Sequence, residues 1–120
     1  MAGPTTIPIV LIGRYTTFAG QTTYSTVPIE VSAYESIEVF AWRAAMADVN
    51  WTFQLSVEES TDLVAWTQVA GGTLLPESET RYAGPISRGW LRAVVDLAGS
   101  VGDFPVVTCY LVGQLVRRWG

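Results

Sequence analysis

The sequence predicts an all-β fold: an antiparallel β-sandwich or jelly roll of about seven to eight short strands in a single domain. Three observations predict it. Apolar residues alternate with polar ones at a period of two nearly throughout the chain. Turn-forming residues separate these runs at regular spacing. No segment of helix length carries an apolar stripe of period 3.6 without a competing two-residue reading.

The elements follow in order. Ile7 to Ile12 is a short apolar run within "TIPIVLIG". Thr26 to Val31 is another. "SIEVFAWR" sets Ile37, Val39 and Ala41 opposite Glu38, Phe40 and Trp42. "NWTFQLSVE" is the clearest strand: Trp51, Phe53, Leu55 and Val57 point one way, and Thr52, Gln54, Ser56 and Glu58 the other. Leu63 to Val69 is a further short run. "RGWLRAVVDL" separates Leu91, Ala93, Val95 and Leu97 from Trp90, Arg92, Val94 and Asp96. "FPVVTCYLVGQLVRRW" alternates Val107, Cys109, Leu111, Gly113 and Leu115 with Val106, Thr108, Tyr110, Val112 and Gln114. Turns are expected at Ala19-Gly20-Gln21, Asp48 to Asn50, Glu59 to Asp62, Gly71-Gly72, Gly84-Pro85 and Gly99 to Asp103. "RAAMADVN" holds one helical turn at most. The domain spans 1–120, with Met1 to Thr6 read as a flexible arm and Arg117 to Gly120 as a short tail.

Composition bounds the function. The chain has 120 residues, 49% of them apolar and only 15% charged; a typical soluble domain carries about 25% charged residues. A small domain cannot hide that surplus entirely inside, so part of the surface is expected to be covered by a partner. The net charge is −4 and all seven basic residues are arginine. That balance argues against nucleic acid and against an anionic membrane surface as partners. The "TIPIVLIG" run is too short to span a bilayer and reads as neither signal peptide nor anchor.

Catalytic and metal chemistry lack their usual residues. There is no histidine and one cysteine, so neither the common nucleophile–base pairs nor a thiolate–imidazole zinc site is available. Cys109 sits among Val107, Leu111 and Leu115 and reads as a buried, inert thiol. Glu58, Glu59 and Asp62 form a short acidic group with oxygen donors suited to calcium, but without a known spacing; a solvated turn is the plainer reading. No catalytic, cofactor-binding or metal-binding residue is assigned, and no enzyme activity is expected.

"STDLVAW" is similar to the Asp-box of sialidase-like propellers at Ser60 and Asp62. Val64 replaces the motif's glycine, Trp66 falls one residue early, and the motif occurs once. A hairpin turn capped by Ser60 or Asp62, with Trp66 packed on the sheet, explains the residues better.

"VEESTDLVAWTQV" together with "GWLRAVVDLAGSVGDFPVVTCYLVGQLVRRW" resembles the small β-sandwich virion structural proteins of tailed bacteriophages. The resemblance covers roughly Ser36 to Trp119 and implies a capsid decoration (cement) protein, or a neck or tail component, located in the virion after assembly in the host cytoplasm. It implies homo-oligomers and partners such as a major capsid protein, with no catalytic residues. The residues expected at a subunit or capsid interface are Ile7, Ile9 and Leu11, which suit addition to a neighbour's sheet edge; Trp42 and Trp90, on strand faces that also carry polar groups; and Arg117, Arg118 and Trp119, types enriched in binding hot spots. Phe40 and Tyr110 share such faces. A carbohydrate-binding β-sandwich module, stacking aromatics such as Trp66 or Trp90 on sugar rings, is the alternative from another class.

Overall fold

A computed structural model describes residues 5–117. Nine strands are present among them: β1 (Thr5–Ala19), β2 (Thr22–Ser25), β3 (Ile29–Glu30), β4 (Ser36–Arg43), β5 (Thr52–Ser60), β6 (Thr67–Thr73), β7 (Thr80–Pro85), β8 (Trp90–Ala98) and β9 (Val106–Arg117). They form two antiparallel sheets. One has four strands in the order β1-β9-β4-β7; the other has five, in the order β2-β8-β5-β6 with β3 also on β8. The two sheets pack into a sandwich, as the alternation predicts.

The core is the set of inward faces. Ile37 and Val39 of β4, Phe53, Leu55 and Val57 of β5, and Leu91, Ala93, Val95 and Leu97 of β8 are all buried. Val107, Cys109, Leu111 and Leu115 of β9 meet them from the other sheet. Each of these positions follows the two-residue period, because successive side chains of a strand leave opposite sides of the pleat. Trp51 departs from its expected place. It lies just ahead of β5 and is half-buried at the sandwich end, where a Cβ on Gly99 would stand 3.0 Å from its Cδ1.

Several boundaries differ from the sequence reading. β6 begins only at Thr67, not Leu63, and runs through Gly71 and Gly72, read as a turn, because both pair with β5 opposite Ser56 and Leu55. β1 runs on to Ala19, well past Ile12. Thr5 and Thr6, assigned to the arm, pair with Arg117 and Val116, because β9 is long enough to reach them. Met1 to Pro4 lie outside the described residues, as do Arg118, Trp119 and Gly120. Of the run expected from Thr26 to Val31, only Ile29–Glu30 (β3) is strand; β2 (Thr22–Ser25) precedes it, and the non-strand segment between them ends at Pro28, which cannot donate to a ladder. β7 was read as a turn at Gly84-Pro85. It is an edge strand, where a proline at the end costs no ladder bond.

Gly113 sets the spacing of the four-stranded sheet. It stands opposite Val39 on one side and Ile9 on the other. A Cβ here would come within 2.7 Å of the Val39 Cα and closer still to the Glu38 carbonyl oxygen, both backbone atoms. Gly113→Ala is therefore expected to push β9 off β4 and destabilise the chain by about 1–3 kcal/mol or more. Chemical denaturation checks this; an unchanged midpoint would show that the ladder yields freely.

Candidate functional site

An antiparallel sandwich normally shows water a polar outer face on each sheet. The β2-β8-β5-β6 sheet does so. Arg92 donates from Nε and Nη2 to Glu58 Oε1 at 3.0 and 2.8 Å, and its guanidinium covers the Trp66 ring at 4.0 Å. Gln54, Ser56 and Asp96 occupy neighbouring outward positions.

The β1-β9-β4-β7 sheet does not. Its outward rows are set by register: Val10 opposite Val112, Val112 opposite Phe40, and Tyr110 opposite Trp42. Val10 is 67% exposed and Tyr15 66%; Phe40, Trp42 and Val112 are half-buried. Pro8, Val10, Arg14, Phe40, Val112 and Gln114 line an open groove of about 470 Å³ along this face. Arg81 and Glu38, paired at 2.5 Å, border it.

A bulge builds the upper end of the face. Ile12 pairs with Leu111 and Thr16 with Cys109, so Gly13, Arg14 and Tyr15 on β1 oppose Tyr110 alone. The extra residues bend the strand and re-aim its side chains. Arg14 lies over the Tyr110 ring, 4.5 Å from its centroid. Trp42 stacks with Tyr110 at 5.5 Å and 14°. Tyr15 stands edge-on to Trp42 at 5.6 Å and to Tyr110 at 6.1 Å. Its backbone has φ 61°, a left-handed conformation that costs a non-glycine residue about 1–2 kcal/mol. The Tyr110 hydroxyl donates to Glu79 Oε2. That bond, aided by burial, holds the Tyr110 pKa above its ordinary value.

The interface residues expected from sequence separate into groups. Ile7 is 41% exposed on the outermost strand of its sheet, and Ile9 packs partly against the core. Leu11 is a correction: it is buried in the core cluster, because the irregularity between Val10 and Ile12 turns both Leu11 and Ile12 inward. Trp42 belongs to the aromatic group above. Trp90 lies on the other sheet, opposite Ser60 and Glu30, so it shares no surface with Trp42. Arg117 ends β9, and Arg118 and Trp119 lie outside the described residues. Sequence reasoning missed Val10, Arg14 and Tyr15. Gly13 was the available signal, since a glycine inside a strand often marks a bulge.

The Ser60–Asp62 segment is a capped hairpin turn between β5 and β6. Ser60 is fully buried; its Oγ accepts from the Asp62 and Leu63 amides at 3.2 and 2.9 Å and donates to Asp62 Oδ1 at 3.1 Å. Asp62 Oδ1 accepts from the Val64 and Ala65 amides, both at 2.9 Å. The bonds from Ala65, Val64 and Ser60 hold the Asp62 carboxyl below its ordinary pKa of 3.8. The acidic group does not assemble around a cation. Glu58 faces Arg92, while Glu59 accepts from the Ser87 and Arg88 amides at 2.9 and 3.1 Å. Among the described residues no three such groups are placed to share a metal. Burial pushes the Cys109 thiol up to about 12.

These elements define a two-sheet β-sandwich whose β1-β9-β4-β7 sheet carries an apolar and aromatic patch, bordered by Glu38, Arg81 and Gln114, on its outer face. No protein-family model matches the chain, and no curated protein matches it. Solved structures share the fold. The PBSX exported protein XepA is 14% identical with a TM-score of 0.62, over 95% of this chain and 38% of that one. The infectious bursal disease virus VP2 subviral particle is 12% identical with a TM-score of 0.68, over 96% and 33%. Dimeric latent PorU from Porphyromonas gingivalis is 12% identical with a TM-score of 0.56, over 98% and 13%. The chain thus spans about a third of the length of the first two proteins and much less of the third.

The turn and the thiol each carry testable consequences. Ser60→Ala leaves two amides without their acceptor and should cost about 1–3 kcal/mol in denaturant unfolding. Because the folded Asp62 pKa is lowered, its contribution is present above pH 3.8 and lost as pH falls through the folded value; Asp62→Asn should remove that acid dependence. Cys109 should resist a thiol reagent in the native chain and react on unfolding, with Cys109→Ser costing about 1–3 kcal/mol because the hydroxyl finds no partner. Rapid native labelling would show that the strand opens readily.

Proposed function

We propose that the chain is a non-enzymatic virion structural protein, a capsid decoration (cement) subunit. It seats the outer face of the β1-β9-β4-β7 sheet on a capsid subunit or on its own copies. The observation that carries this reading is that face: Val10, Tyr15, Phe40, Trp42 and Val112 line a sheet surface that a free domain would make polar. Aromatic residues beside arginine fit the composition of interface cores. The fold shared with the infectious bursal disease virus particle protein supports the same class. The low charge content and the absence of a basic excess are consistent with a protein partner. A neck or tail position would use the same face with fewer copies.

A carbohydrate-binding reading has one observation in its favour, the exposed Tyr15 ring beside Trp42. In that reading the rings stack on a sugar.

The test is quantitative mass spectrometry of purified particles made by the genome that encodes the chain. The chain should be present at a stoichiometry comparable with the major capsid subunit. Phe40→Asp, which keeps the inward face of β4 intact, should lower occupancy by at least about tenfold while circular dichroism stays β-rich. Absence from particles, or full occupancy of the variant, overturns the proposal. Glycan-array binding abolished by Tyr15→Ala would replace it with the sugar reading.

A further inference from the structure

The sandwich is open along one side. β6 ends one sheet and β7 ends the other, and residues 74–79 join them; no ladder pairs them among the described residues. Between the two strands a cleft of about 140 Å³ enters the core. Val39, Leu55, Val57 and Leu111 form its buried apolar depth, and buried Leu74 lies beside them.

Register shows why the cleft stays open. On β6, the residues opposite Leu55 and Val57 are Gly72 and Ala70. On β7, the residue opposite Ala41 is Thr80 and the one opposite Val39 is Tyr82, which lines the cleft, packs partly against the core and lies against Gly84. Four small residues thus stand at inward positions where sandwich cores carry large aliphatic ones. Gly72 has φ 146° and a Cβ there would meet nothing within 4 Å, so the space beside it is vacant. An apolar cleft left unfilled forfeits packing contacts along its buried walls. An apolar cavity of about 150 Å³ accepts a benzene-sized guest.

The rim adds a second requirement. The outer edge of β6 faces no strand among the described residues. Its sequence, TQVAGGT, carries no proline to blunt that edge, whereas β7 ends at Pro85. An open edge presents N–H and C=O groups to an extended chain, and alternate side chains of that chain point toward the core.

We propose that this cleft binds one bulky apolar side chain, leucine-like or phenylalanine-like, carried by an extended segment of a partner protein that pairs with the open edge of β6. The segment completes the five-stranded sheet while its side chain fills the space left by Ala41, Ala70, Gly72 and Thr80. The site is separate from the outer sheet face and does not depend on the virion reading.

The experiment is an amide-resolved NMR titration of the full chain with toluene, then with two blocked five-residue β-forming peptides that differ only in a central phenylalanine or alanine. Toluene should shift the Ala70, Gly71, Gly72 and Leu74 amides saturably. The phenylalanine peptide should shift the length of β6 and bind at least about tenfold more tightly than the alanine peptide. Ala70→Leu fills the cleft from β6 and Ala41→Val from β4; each should abolish both responses while the β spectrum and Tm are retained. No saturable toluene shift, or an equal response in both filled variants, overturns the site. Toluene binding without peptide binding overturns the assignment to a partner segment.

Discussion

The whole arrangement depends on β9 being hydrogen-bonded along both edges, to β1 on one side and β4 on the other. A doubly paired strand cannot slip by one residue without exchanging its faces. Its inward set, Val107, Cys109, Leu111 and Leu115, is buried almost completely. That commitment fixes Tyr110, Val112 and Gln114 outward, and with them the rows that Trp42, Phe40 and Glu38 join. The apolar outer face is therefore no accident of loop placement. It is the other side of the same ladder that makes the core.

The bulge at Gly13 to Tyr15 shows how a local cost is met by the contacts around it. Tyr15 in a left-handed conformation costs about 1–2 kcal/mol. Each aromatic contact contributes about 0.5–1.5 kcal/mol beyond burial, and Tyr15 makes two, to Trp42 and Tyr110. The Thr16 hydroxyl donates to the Gly13 carbonyl at 2.7 Å and pins the loop of the bulge. The strain and its compensation are of one size. The strained conformer persists because Tyr110, held by β9, Arg14 and Glu79, gives Tyr15 a fixed surface to rest against.

The legible part of the fold was the part ruled by alternation. Ser36 to Arg43 matches β4 residue for residue, and the inward faces of β5, β8 and β9 were readable because burial on one side imposes a period of two. The capped turn at Ser60 and Asp62 was readable because short polar side chains bond their own backbone. What was not legible came from places where the period breaks. β7 alternates weakly because it is an edge strand with exposed residues at Thr80, Arg81 and Ala83. Leu11 looked like an exposed partner of Ile7 and Ile9 because no sequence pattern marks a register shift after Val10. Phe40 and Tyr110 were visible as outward aromatics. Their union with Val10, Arg14 and Tyr15 into one surface is a product of strand order, which local pattern does not encode.

Strand order also distinguishes edges from faces as places of assembly. β1 was expected to offer an edge, but one of its edges is already occupied by β9. Pro8 keeps its place in that ladder opposite Gln114. A proline is tolerated in an edge strand where its missing N–H lies on the unpaired side, so the remaining edge of β1 lacks a donor in the middle of its apolar run. Such a proline works against indefinite edge-to-edge growth. An open sheet edge shared between identical chains does not supply a contact that stops at a defined geometry. A shaped face does: Val10, Phe40 and Val112 lie between the Arg81–Glu38 pair and the stacked Tyr110 and Trp42 rings, so only a complementary surface in one orientation buries them all.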